Sequence, residues 1–72
     1  MSVDLTEADM AILNHLQDGA RTQGFLVDKT GYSRPHIHNR LQVLLAAGHI
    51  RLIHESTALY ELVADPRQGD KK

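Results

Sequence analysis

The chain has no cysteine among its 72 residues, which excludes a disulfide framework and any thiolate zinc site. It has no apolar run near the ~20 residues of a bilayer span. Its first residues, MSVDLTEAD, are acidic, unlike a signal peptide. The soluble cytoplasm is therefore the expected location. The chain is also short. A domain of this size buries only ~60% of its unfolded surface, so a partner chain or ligand would add stability.

The most telling absence is local. Residues 29–54 contain no acid, yet hold Lys29, Arg34, Arg40 and Arg51, a net of +4, and four of the five histidines. Residues 1–28 carry five acids against Arg21 alone, a net of −4. Residues 55–72 carry four acids against three bases, so the total of −1 conceals the segregation. A basic segment inside a nearly neutral protein points to a surface that meets a polyanion.

What is present reads first as helix. Thr6 suits an N-cap, Glu7 and Asp9 fill the first turn, and Asp9 at N3 makes an imperfect capping box. Leu5 and Met10 are spaced for a hydrophobic staple. Ile12, Leu13 and Leu16 supply an inward stripe, so the first helix is expected over residues 7–18, with Gly19 as its stop. A second helix is capped by Thr22, turns Phe25, Leu26 and Val27 inward, and ends near Lys29 before Gly31. Gly24 weakens it by up to ~1 kcal/mol relative to alanine. A third begins at the cap Ser33, with Arg34 and Pro35 in its first turn, where a missing amide donor costs little. Ile37, Leu41 and Leu44, with Leu45 beside them, define its buried face, and Gly48 ends it.

After Gly48 the period shortens. HIRLIHE, residues 49–55, and ALYELV, residues 58–63, read as strands joined tightly through Ser56 and Thr57. Leu52, Ile53, Leu59 and Leu62 are expected in the core or in a dimer seam. Residues 64–72 combine proline, glycine and charge, and are expected to lack structure. The fold class is α+β: a winged helix-turn-helix over residues 1–63, with a three-helix bundle followed by a two-stranded hairpin wing.

The charged and polar residues of the third helix have three readings. Metal binding fails on geometry, because His36 and His38 are two apart and point ~200° away from each other. A polyanion surface survives the same helical wheel. Pro35, Asn39, Gln42 and Ala46 fall opposite the buried face, His38 flanks them, and Arg34 swings toward the same front. Arginine pairs with guanine, and asparagine or glutamine with adenine, in a major groove that admits one helix. The plainer reading is an ordinary solvated helix face.

Other residues join the polyanion reading by position. Thr22 and Gln23 start the helix that crosses the DNA backbone, and Lys29 and Ser33 lie on either side of the corner; all four are phosphate candidates. Tyr32 either meets a phosphate or packs over the turn. Arg40 either reaches a phosphate or pairs with an acid on the first or second helix. His54 and Arg51 are the only cationic candidates on the wing, beside Glu55, so the wing is expected to add little. No nucleophile stands beside a base in any motif, so no enzyme, cofactor or small-molecule ligand is expected. Protonation of His36, His38, His49 and His54 below pH ~6.5 would strengthen polyanion binding.

The stretches LTEADMAILNHLQDG, GYSRPHIHNRLQVLLAAGHI and ALYELV, spanning residues 4–63, resemble the winged helix-turn-helix domains of small archaeal regulators, particularly haloarchaeal phage-repressor-like proteins. The Gly-Tyr-Ser corner, the Asn39-Arg40-Leu41 step and the exit from Ala47 to Ile50 carry the likeness. The resemblance implies DNA binding by the third helix, with Arg34, Pro35, His38, Asn39 and Gln42 at groove-facing positions, and dimers on inverted repeats. Two departures stand out: the net charge is less acidic than is usual for haloarchaeal proteins, and the wing tip is neither basic nor glycine-rich. The expectation is a homodimeric repressor on double-stranded DNA. The alternative is a winged-helix module that docks proteins through apolar surface positions such as Val43.

Overall fold

Thr6 and Asp9 start the first helix by satisfying each other's backbone. The Thr6 hydroxyl accepts the Asp9 N–H at 3.2 Å, and the Asp9 carboxylate accepts the Thr6 N–H at 3.0 Å. The shorter aspartate thus completes a full capping box. The structure is a computed structural model describing residues 5–68. Helix α1 is Glu7–Gln17, with Asp18 as C-cap. The expected staple does not form on both sides. Leu5 packs against the core, but Met10 is 39% exposed.

Helix α2, Gln23–Thr30, is capped by the Thr22 hydroxyl, which accepts the Phe25 N–H at 3.1 Å. Gly31 closes it at φ +80°, a left-handed conformation that favours glycine. Helix α3, Arg34–Ala46, is capped by Ser33, whose hydroxyl accepts the His36 N–H at 3.2 Å. Ile37, Leu41 and Leu44 are fully buried on one stripe. Together with Ile12, Leu13, Leu16, Leu26, Ile50 and Tyr60 they form the core, with Phe25, Val27 and Tyr32 packed at its edge. Truncating any of the buried leucines would cost ~2–5 kcal/mol.

The sheet holds one more strand than the sequence pattern announces. Strand β1, Arg21–Thr22, precedes α2; β2 is Ile50–His54 and β3 is Leu59–Leu62. Their order is β1-β3-β2, all antiparallel, with Arg21 opposite Tyr60 and Ile50 opposite Leu62. A two-residue strand has no alternation to display. The hairpin turn is also longer than Ser56-Thr57. It spans residues 55–58, closed by the Ala58 N–H donating to Glu55 O at 3.1 Å, and the pairing slips between Leu52 and His54. Ala58 sits at φ +51°, where a side chain costs ~1–2 kcal/mol.

Leu52 and Ile53 are exposed at 36% and 40%, so they are not core. The strands contribute Ile50 and Tyr60 instead. Beyond Val63 the chain keeps structure for a short distance. Pro66–Gln68 is a single 3₁₀ turn laid on α1. Arg67 donates to Asn14 Oδ1 at 2.6 Å, and Gln17 donates to Asp65 at 3.0 Å. Of the segment expected to lack structure, residues 69–72 lie outside the described residues. Among the described residues no helix is long and apolar enough to cross a membrane.

Candidate nucleic-acid interface

With Ile37, Leu41 and Leu44 turned into the core, helical geometry leaves α3 an outward face. Pro35, His38, Asn39, Gln42, Val43 and Ala46 line an open concavity along it. Five of the six are exposed and Val43 is half-buried. The small Ala46 keeps the C-terminal half of this face low. The opposite end of the helix presents Arg34, exposed in the first turn, where the helix dipole is positive.

Folding redistributes the charge that the sequence segregates. Two of the four cations in residues 29–54 acquire acids from outside that segment. Arg51 donates to Glu61 at 2.6 Å across the β2–β3 pair, and Arg40 is paired with Asp9. Lys29 and Arg34 have no acid partner among the described residues. The Lys29 ammonium lies 5.8 Å from the Phe25 ring centre, with the Arg21 guanidinium 5.0 Å from the same centre. The net positive character at the α2–α3 corner is therefore carried by Lys29 and Arg34.

The Arg40 pairing decides between its two sequence readings. Its Nε donates to Asp9 Oδ1 and its Nη2 to Asp9 Oδ2, each at 2.8 Å. Asp9 is fully buried, so this is a bidentate pair at the α1–α3 contact. Burial works against the Asp9 charge, but Arg40 and the Thr6 N–H outweigh it and hold the carboxyl below its usual range. In this structure Arg40 is engaged with Asp9, the acid pairing that was one of its two sequence options.

Tyr32 is half-buried, packs against the core and stands 5.0 Å from the His36 ring, tilted by 55°. Packing is its role in this structure. The Thr22 and Ser33 hydroxyls accept capping N–H groups and still have a proton to donate. On the wing, His54 is held inside its own turn, its Nδ1 2.9 Å from Thr57 Oγ1 and 3.3 Å from Ser56 Oγ. With Arg51 paired as well, the wing presents no free cation on its described strands.

Two further contacts had no signal in the sequence. Gln23 Oε1 lies 3.2 Å from His38 Nδ1, joining α2 to α3, and Gln42 Nε2 donates to the Tyr60 hydroxyl at 3.4 Å, joining α3 to β3. They link residues 15 and 18 positions apart, a separation no helical or strand period encodes. Tyr60 was legible only as one member of an alternating strand. The structure thus brings Gln23, Arg34, Pro35, His38, Asn39 and Gln42 to the α2–α3 side, and leaves Arg40 and His54 engaged elsewhere.

A family model described as the MarR family matches residues 3–58, which runs from before α1 to the wing turn. No curated protein and no solved structure matches the chain. The matched span holds the three helices and strands β1 and β2, stopping just before the central strand β3, and the chain belongs to the MarR family of winged-helix, DNA-binding transcription regulators.

Proposed function

We propose that α3 enters the major groove of double-stranded DNA and that the protein acts there as a homodimeric repressor. Arg34, His38, Asn39 and Gln42 read base edges, while Pro35 and Ala46 let the helix approach. Thr22, Lys29 and Ser33 hold phosphates on either side of the α2–α3 corner. The observation that carries this reading is the outward face of α3, where His38, Asn39 and Gln42 stand exposed among the apolar Pro35, Val43 and Ala46, opposite a stripe that is completely buried. That face has no part in the core, and its side chains have the donor and acceptor chemistry of base readout. The reading as a repressor rests on the resemblance to repressor domains. The homodimer follows from size, since one copy of so small a domain covers a short half-site.

The test is fluorescence anisotropy of a labelled random-sequence duplex titrated with the protein at several salt concentrations. Affinity that falls steeply with salt reports counterion release from phosphate and supports the reading. Absence of binding at low salt rejects it and turns attention to protein docking on the same concavity, through Val43. Sedimentation at high micromolar concentration tests the dimer; a monomer there removes that part.

A further inference from the structure

The Gln23–His38 contact specifies more than proximity. The structure turns the Gln23 amide oxygen, which can only accept a hydrogen bond, toward His38 Nδ1 at 3.2 Å, and in that arrangement Nδ1 carries the proton. In a neutral imidazole the other nitrogen, Nε2, then carries a lone pair and no proton. His38 is exposed, lines the α3 concavity, and its Nε2 has no partner among the described residues. In that tautomer Nε2 is an acceptor on the concavity.

Gln23 is held in place to do this. Its backbone N–H donates to Ala58 O at 3.0 Å, and the preceding Thr22 pairs with Leu59 in the sheet. Its residue is half-buried. An anchored backbone leaves only the side-chain torsions to be ordered, which reduces the entropy lost in fixing the imidazole. The wing turn, through Ala58, thereby sets the position of a group on the recognition face.

We infer that Gln23 is a positioning residue that makes His38 a hydrogen-bond acceptor, so that His38 recognises an exocyclic amine in the major groove, cytosine N4 or adenine N6. The inference rests on the groove-reading role given to α3 above. The opposite tautomer would make Nε2 a donor and direct it to the purine N7 or to guanine O6. The choice between an amine and an N7 is therefore made by Gln23, which touches no base.

Two measurements on the full chain at pH 8 test it. Nitrogen-15 correlation spectra of the free protein are expected to show His38 protonated on Nδ1, shifting toward the Nε2–H form in Gln23→Ala. A wild-type His38 protonated on Nε2 overturns the inference whatever the DNA results. The second measurement selects preferred duplexes from a randomised library with wild type, His38→Ala and Gln23→Ala. The base pair whose preference disappears in His38→Ala is the one read by His38, and Gln23→Ala is expected to lose about tenfold discrimination at that pair.

Analogue duplexes complete the test at that base pair. A 7-deaza purine is expected to leave His38-dependent binding intact, while removal of the exocyclic amine abolishes it. The reverse pattern, or unchanged discrimination in Gln23→Ala, overturns the inference and leaves the groove reading standing. A selection that yields no preferred sequence with any protein rejects the groove reading, and the base-selecting role of His38 falls with it.

Discussion

The fully buried carboxylate of Asp9, at the start of α1, is gripped at 2.8 Å by both Nε and Nη2 of Arg40, in the middle of α3. The same carboxylate accepts the Thr6 N–H that begins α1. One side chain thus serves as helix cap and as the ionic tie between α1 and α3. The pair resists rotation of α3 about its axis, a motion that would carry Asn39 and Gln42 away from the outward face. Removing either partner has unequal consequences, because Asp9 is shut from water while the Arg40 side chain keeps 20% of its exposure.

Arg40→Ala is expected to destabilise the fold by about 3–5 kcal/mol, because it strands a buried carboxylate. Asp9→Asn is expected to cost less, since the asparagine still accepts a hydrogen bond and Arg40 can hydrate. Urea unfolding midpoints of the two variants check the order. Equal losses would show that the tie is not limited by the burial of Asp9.

Acid should loosen the protein at two places. Arg67 holds the Asp65 carboxyl down at about 2, from 3.8, and Asp9 is also below its usual range. Both folded-state values lie below the unfolded ones, so their stabilisation is present above about pH 4. It is lost as the pH falls through the folded values, toward pH 2 for Asp65. The melting temperature is expected to fall between pH 4 and pH 2, with a shallower fall in Asp65→Asn. An identical slope in that variant would mean the Asp65–Arg67 pair adds nothing to folding.

The glycines of α2 should respond in opposite directions. A Cβ at Gly24 meets nothing within 4 Å, and Gly24 lies in the helix, so Gly24→Ala is expected to stabilise by up to ~1 kcal/mol. Gly31 has equal space but sits at φ +80°, so Gly31→Ala is expected to destabilise by about 1–2 kcal/mol. Thermal melts of both variants decide this. Two changes of the same sign would mean that available space, rather than backbone conformation, controls these sites.

Charge–partner pairing predicts which cations count toward DNA. Arg34→Ala is expected to weaken duplex binding uniformly across sequences or at one guanine, and to lower the salt slope by about 1 where it meets a phosphate. Arg51→Ala is expected to leave affinity nearly unchanged, because Glu61 already neutralises it. Salt titrations of the two variants compare them directly. A larger loss for Arg51→Ala would place the wing, rather than the corner, against the duplex.

Much of this protein was legible before folding. Caps at Thr6, Thr22 and Ser33, stops at Gly31 and Gly48, and the stripe of Ile37, Leu41 and Leu44 are local signals, carried by residues within one or two turns of each other. Such spacing determines helices and their inward faces, and with them the outward face of α3. Strand β1 was not legible, because two residues carry no period and their pairing with Leu59 and Tyr60 is made across the chain.

The sequence by itself therefore determined three helices, a hairpin and which side of α3 could be buried. Tertiary structure decided which polar groups on that framework remain free. Packing gave Arg40 to Asp9, Arg51 to Glu61 and the His38 Nδ1 to Gln23, and it left Lys29 and Arg34 without acids among the described residues. Those pairings join residues 31, 10 and 15 positions apart. Hydrogen bonds and ion pairs act over about 3 Å in space, and only the folded chain brings such partners within that distance.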